Sequence, residues 1–321
     1  MSDPTQRLKR KGVLFAVLSA VIFGTSPIFF KTIATNGINT TTHIVVRSAL
    51  TMLLVAVLAA VKRQPILLRG RLLLDALLAF IAGQGLTAIL LNSSYAYLPA
   101  GMATSLHFVY PSVVMLACVL LFRERINAIK LVALALSMAA IVLMADRKAN
   151  GQIIGMALAV ASGCSYAFYI LLLERTALKD LPVWTFAFWG SFGCLVAGAI
   201  LGVSTHTLDL SDATGKSVSL MLIMIPLQSV LAVRLFQLGV RYTGSTAAAL
   251  LSTMEPVTST ILGVVLLRES VSALKLAGCA AIVLSIVLVA LGSARAEEQR
   301  MQIFESDPPE GTINIEPLER E

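Results

Sequence analysis

The sequence predicts an all-α integral membrane protein: ten transmembrane helices arranged as two inverted five-helix repeats around a central cavity. Three observations carry that expectation. The chain has 321 residues, of which 57% are hydrophobic and 13% charged, with a mean hydropathy of +0.84. Soluble domains of this size do not have that balance. The apolar residues gather in nearly uncharged stretches of about 20, the length that spans a bilayer core as helix. The chain also repeats itself: Tyr97 to Ala145 lies on Tyr242 to Ala290 without a gap, an offset of 145, with sixteen identities in forty-nine positions. Apolar identities mean little in such a composition. Tyr97 with Tyr242, Pro111 with Pro256, Arg123-Glu124 with Arg268-Glu269 and Lys130 with Lys275 mean more. A repeat in a membrane protein usually sets two halves around a site between them.

Backbone groups in hydrocarbon must bond within their own segment, so the apolar stretches are expected to be helices. The first, 12–31, follows Lys9-Arg10-Lys11. That start is like a signal peptide, but no small-residue cleavage site and soluble domain follow, so it reads as a span. The second, 43–61, ends at Lys62-Arg63, and the third, 72–91, begins past Arg69 and Arg71. The fourth, 101–122, closes on Arg123-Glu124, and the fifth, 130–146, reaches Arg147-Lys148. The sixth, 152–173, precedes Arg175 and Lys179, and the seventh is 183–203. The longest loop, 204–216, holds His206, Asp209 and Asp212; the eighth span, 217–237, follows it. The ninth, 245–267, closes on Arg268-Glu269, and the tenth is 275–293. Residues 1–11 are then a cytoplasmic N-terminal segment, 12–146 and 152–293 the two five-span repeats, and 294–321 a polar tail expected to be disordered and cytoplasmic.

With the N-terminus inside, eighteen Lys and Arg fall on the cytoplasmic side and six outside. Both termini are therefore expected in the cytoplasm and the protein in the cell (inner) membrane. The net charge of +7 reflects this sidedness and does not point to nucleic acid. Five spans per half is an odd number, so the second half must be inverted. Gly12 onward resembles Gly155 onward at an offset near 143, which pairs spans 1 and 6.

Few polar residues lie within the spans, and they form the candidate site. Glu255 sits near the middle of span 9, where a carboxylate costs at least ~2.5 kcal/mol. It either binds an ammonium group or carries a proton, or it accepts hydrogen bonds from backbone freed by Pro256. Arg47, one turn into span 2, could attract a substrate carboxylate, pair with Glu255, or snorkel to the interface. Arg234 is expected to snorkel. His107 and Tyr110, three apart, share a face of span 4; the histidine could titrate near neutral pH or bond a neighbouring carbonyl. Gln84 and Gln228 are midplane amides that suit a substrate or an interhelical bond. Tyr166, Tyr169 and Trp189 could stack on a cation or ring, or simply pack; Trp184 reads as an interface residue. Arg123-Glu124 and Arg268-Glu269 read as helix ends with adjacent ion pairs.

Other chemistry finds little footing. Cys118, Cys164, Cys194 and Cys279 lie in apolar stretches without a CxxC pair and read as small hydrophobes. No second ligand stands at metal spacing from His107. No Gly-x-x-x-x-Gly-Lys-Ser/Thr loop is present, so ATP hydrolysis is not expected.

Ten spans in two repeats, with Tyr110-Pro111 and Glu255-Pro256, the two Arg-Glu span ends, Gly278, and small-residue span starts at Gly101-Met102-Ala103-Thr104-Ser105 and Gly244-Ser245-Thr246-Ala247-Ala248-Ala249, resemble the drug/metabolite transporter superfamily, specifically its EamA family. The resemblance covers about residues 12–293 and rests on the whole pattern. It implies a monomer-sized bundle with a central cavity, moving amino acids, metabolites or drugs, commonly outward. Two departures make the halves unequal: Tyr110 stands where the other half has Glu255, and the span 6 counterpart of Pro27 is apolar. The leading expectation is a secondary transporter and not an enzyme, working as a monomer or weak dimer. Its expected partners are a small-molecule substrate, the bilayer and a proton as candidate coupling ion, with no cofactor, metal or nucleic acid. Lipid-carrier flipping is the alternative, and a membrane-embedded lipid-modifying enzyme a more distant one.

Overall fold

The computed structural model describes residues 4–122, 128–144, 150–243, 251–252, 254–274 and 276–288. Arg123-Glu124, Arg147-Lys148, the Gly244–Ala249 span start, Lys275 and the tail lie outside them. The regular elements among the described residues are all helical, with no strand: α1 (Pro4–Gly24), α2 (Ser26–Ala34), α3 (Thr40–Val61), α4 (Gly70–Leu77), α5 (Leu86–Ser94), α6 (Ala100–His107), α7 (Tyr110–Phe122), α8 (Ala128–Met144), α9 (Asn150–Arg175), α10 (Val183–Ser204), α11 (Gly215–Pro226), α12 (Val233–Thr243), α13 (Met254–Leu267) and α14 (Leu276–Leu288). Seven runs among them are long and apolar enough to cross a membrane: Arg10–Ala34, Thr40–Val61, Gly70–Ser94, Ala100–Leu121, Gln152–Leu173, Val183–Ser204 and Gly215–Thr243. α8, α13 and α14 are apolar but shorter, at 10–17 residues. Bulky apolar side chains such as Leu53, Leu120, Leu121, Ile200, Val203, Val265 and Leu266 point outward, as lipid contact requires. The protein is a multi-pass membrane protein.

Several stretches predicted as smooth spans are interrupted. Span 1 breaks at Thr25, between α1 and α2, where Pro27 in the first turn of α2 has no N–H to continue the ladder. Span 4 breaks at Phe108-Val109, with Pro111 in the first turn of α7. Span 3 widens to a π-helix over Leu78–Gly85 and span 8 over Leu227–Ala232, the latter just after Pro226. Thus the fourth and ninth apolar stretches restart at Tyr110 and Met254, near the repeat offset, and the third and eighth carry matching π-inserts. Irregular backbone at membrane depth is tolerated where protein buries it or it lines a water-filled cavity.

The direction of the helices follows from their contacts. Lys31 Nζ bonds Leu98 O at 2.7 Å, and Gly155 lies against Tyr97 and Leu98, so residues 31, 98 and 155 share one end of the bundle. Gly12 lies against Tyr242 and Thr243. It stands nineteen residues before Lys31 on α1–α2, or roughly 28 Å along the rod. α1 and α9 therefore run in opposite directions. α1 packs on α12 and α13, α9 on α5, α6 and α7, and α3 runs beside α10.

Both ends are tied. At the Lys31 end, Asn39 caps α3 through Thr42 N–H (2.9 Å), and the loop before α11 returns to this corner. There Asn39 Nδ2 and Thr42 Oγ1 donate to Thr207 O (2.7 and 3.1 Å), and Thr214 N–H donates to Asn36 O (3.4 Å). At the other end, Trp184 N–H donates to Gln64 Oε1 (3.0 Å) and Thr185 Oγ1 to Pro65 O (2.7 Å).

Candidate functional site

Glu255 is the second residue of α13, one residue past the break in the ninth apolar stretch. Its N–H bonds Ser252 O at 2.9 Å. Ser259 Oγ bridges Glu255 O (2.9 Å) and Gly24 O (3.0 Å). Here α1 crosses α13 just before its own break. A methyl group on Gly24 would stand 2.6 Å from Thr258 Cβ and 2.9 Å from Glu255 O, so only glycine permits the approach. The Glu255 carboxyl keeps some accessible surface and has no hydrogen-bond or ion-pair partner among the described residues. The phenols of Tyr95, Tyr110 and Tyr166 lie within its electrostatic reach. A carboxylate held at a helix start is also favoured by that helix's dipole.

Two of these phenols belong to an aromatic wall. Tyr110 meets Tyr166 edge-on at 4.8 Å between ring centroids, and His107 lies 5.8 Å from Tyr110 and 5.3 Å from Tyr166. Tyr169 continues the row at 5.4 Å. His107 Nδ1 is 2.9 Å from Ser162 Oγ, and that hydroxyl donates its own hydrogen to Ala159 O at 2.6 Å. The imidazole therefore donates through Nδ1, a tautomer assigned from the network, and leaves Nε2 as an acceptor. The partner of His107 is thus a serine of span 6, and not the neighbouring carbonyl.

Arg47 is half-buried in α3. It pairs neither with Glu255 nor with any other described acid. Tyr95 and Cys194 are within its electrostatic reach, and His43 stands one turn before it. His43 is buried and stacked on Phe30 at 5.1 Å, with Nδ1 unpartnered among the described residues. Tyr95 is within electrostatic reach of both Arg47 and Glu255, and its hydroxyl is 3.4 Å from Thr104 Oγ1. Sequence reasoning missed Tyr95 because it ended span 3 at residue 91; the helix runs to Ser94 and places Tyr95 at its cap, inside the bundle.

The remaining candidates divide. Gln84 lies in the π-insert of span 3 and its Oε1 is enclosed without a partner among the described residues. Gln228 is buried in the other π-insert, and its Nε2 reaches Thr25 Oγ1 at 3.4 Å, tying that insert to the break in span 1. Trp189 donates its indole N–H to Ile66 O at 2.9 Å and packs in the cluster of Phe80 and Tyr169. His107, Tyr110 and Tyr166 pack together, and Tyr110, Tyr166 and Tyr95 lie within electrostatic reach of Glu255, Tyr95 within that of Arg47 as well. Gln228 and Trp189 belong to the frame. The described residues hold no group of three His, Cys, Asp or Glu able to seat a metal.

The model of the EamA-like transporter family matches residues 10–145 and again 153–291. The chain belongs to the EamA-like transporter family. A relative described as uncharacterized transporter sll1319, from Synechocystis sp., is 23% identical over 205 residues, which are 63% of this chain and 62% of that protein. The match thus spans about three-fifths of the relative. A solved crystal structure of a protein shares the fold, with a TM-score of 0.61 and 16% identity over 89% of this chain and 98% of that one. Family membership points to a membrane transporter rather than an enzyme.

Proposed function

We propose that this EamA-family protein is a secondary transporter that moves small amphipathic metabolites, such as amino acids and related compounds or drugs, across the cell membrane by alternating access, in the outward direction. The observation that carries the reading is Glu255: a carboxyl at membrane depth, beside a helix break, with no protein partner among the described residues. A charge costly to insert is retained where it has work to do, here with a cationic group of a substrate or a proton. Arg47 stands apart from it, with no acid partner among the described residues, as a site for an anionic group. Tyr95 lies within electrostatic reach of both, and the Tyr110–Tyr166–His107 wall offers apolar and π surface. Such a set of side chains suits a small molecule with both charges and an apolar body.

The ten-span, inverted-repeat reading is supported by the opposed directions of α1 and α9 and by the breaks at matching repeat positions. In that scheme 12–146 and 152–293 rock about the site. The excess of Lys and Arg on one side supports both termini in the cytoplasm. Reporter fusions after Lys62, Arg125 and Glu321 are expected to read cytoplasmic, and a fusion at Asp212 external. The function itself is tested with purified protein in sealed liposomes. Uptake of labelled amino acids and amphipathic drugs is measured with and without a pH gradient. Wild type is expected to move at least one class, and to respond to the gradient. Absence of movement for every class, by protein that is folded and inserted, would remove the reading.

A further inference from the structure

We propose that Glu269 is the catch of a gate at the Lys31 end of the molecule, joining the two halves while that end is shut and releasing them during transport. The proposal rests on the alternating-access reading above. One carboxylate makes the joint. Its Oε1 takes Lys31 Nζ at 2.5 Å, and its Oε2 takes the N–H of Ala100, the first residue of α6, at 2.8 Å. Lys31 adds a second bond, to Leu98 O at 2.7 Å. Lys31 sits in the last turn of α2 and Glu269 at the start of α6, so each charge also meets the helix end its sign favours. The side chains are only 21% and 12% exposed, which lifts the pair above an ordinary surface bridge.

The chain is shaped to make this contact. Arg268, a residue with a side chain, takes φ of 53°, and the turn lets Glu269 N–H bond back to Gly263 O at 3.1 Å. Left-handed backbone at a non-glycine residue is held only where its surroundings require it. A methyl group on Gly263 would occupy the place of Glu269 Oε2. The repeat puts Cys118 where Gly263 stands, so the sequence supplies that glycine on one side only.

The location makes the joint a gate. α2 and α6 belong to the first half, and the turn after α13 to the second. These are the ends, on one face, of the three interrupted apolar stretches, whose breaks lie at Thr25, Phe108-Val109 and just before Met254. Any motion that parts α6 from α13 at this face must break the bonds of a single carboxylate together.

The test uses the full chain with Cys118, Cys164, Cys194 and Cys279 each changed to alanine, and with Thr104→Cys, a buried position in α6 beside Tyr95, as the single reporter thiol. Labelling of that thiol by a membrane-impermeant maleimide is followed in intact cells and in inside-out vesicles, with elution profiles as the check on folding. Glu269→Gln and Lys31→Met are each expected to raise labelling from the Lys31 face about tenfold, the scale of one lost charge-assisted bond. The double variant is expected to label no faster than the faster single one, because both remove the same joint. Unchanged labelling in both folded single variants, or an increase from the opposite face alone, would overturn the gate. If one variant misfolds, the other decides. Faster labelling alongside a wild type that moves no solute in liposomes would keep the gate and remove the transport reading.

Discussion

Span 1 crosses α13 at Gly24, and span 6 crosses the break of span 4 at Gly163. A methyl group on Gly24 would come within 2.6 Å of Thr258, and one on Gly163 within 2.7 Å of His107 O. In each half, then, a helix lies in backbone contact with its neighbour beside an interruption. The occupants of the two crossings differ. One presents the Glu255 carboxyl, without a partner among the described residues; the other presents the Tyr110 phenol, packed edge-on against Tyr166 at 4.8 Å. The crossing helices differ too: α1 stops at Thr25 before Pro27, while α9 runs unbroken from Asn150 to Arg175 and carries Ile170 at the matching place. Shape has been repeated and chemistry has not. One pair of positions turns a symmetric scaffold into a polar site with a charged side and an aromatic side.

The sharpest way to break that comparison is to change the two occupants alone. Glu255→Gln keeps size and hydrogen-bonding atoms but deletes the charge. Loss of a buried charge interaction, at ~2–5 kcal/mol, implies roughly a 30-fold or larger fall in liposome transport. Its response to a pH gradient should vanish with it. Tyr110→Phe removes one hydroxyl from an aromatic wall that remains, and about a threefold loss is expected. Equal losses in the two variants would mean that the halves are chemically equivalent after all.

The scaffold can be tested separately. Gly24→Val and Gly163→Val each push a side chain into backbone, and overpacking of this kind costs about 1–3 kcal/mol. Thermal unfolding in detergent should show lowered midpoints of similar size for both. A large drop for one and none for the other would show that the crossings are not structural equivalents. Between these effects and the smallest lies Arg47→Met, expected to reduce transport of substrates bearing a carboxylate about tenfold, one charge-assisted bond's worth, and to spare carboxylate-free ones.

How much of this could be read in the sequence follows from what each signal measures. Hydropathy reports burial in lipid, so the all-helical membrane class and the rough places of most spans were legible. It cannot report backbone register, so the breaks at Thr25 and Phe108 and the two π-inserts were hidden inside smooth apolar runs, although Pro27, Pro111 and Pro226 mark three of those four places. Glu255 was legible because a lone carboxylate in an apolar run is conspicuous. Tyr95 was not, since it sits where a span was expected to have ended. Glu269 was read as the end of a helix paired with its neighbour. Its partners are Lys31 and Ala100, 238 and 169 residues away in the chain, and no local pattern encodes such a contact. Ser162 was hidden for the same reason: a serine in a helix carries no sign of a histidine on another span.

The smallest predicted effect separates frame from site within one cluster. Trp189 and Tyr166 both pack around Phe80 and Tyr169. They point to different duties. The Trp189 indole donates to Ile66 O at 2.9 Å and so fastens α10 to the segment between α3 and α4, alongside Thr185 to Pro65 O at 2.7 Å. Tyr166 faces His107 and Tyr110 and lies within electrostatic reach of the Glu255 carboxyl. Trp189→Phe keeps most of the apolar contact and loses one hydrogen bond, which contributes about 1 kcal/mol. The expected result is a small fall in the unfolding midpoint with transport per folded molecule within about twofold of wild type, since a frame bond acts on stability and not on the site. Tyr166→Leu removes a ring within electrostatic reach of the carboxyl and is expected to lower transport more than it lowers the midpoint. If Trp189→Phe instead abolished transport at unchanged stability, the indole would belong to the passage, and the division of this cluster into frame and site would fall.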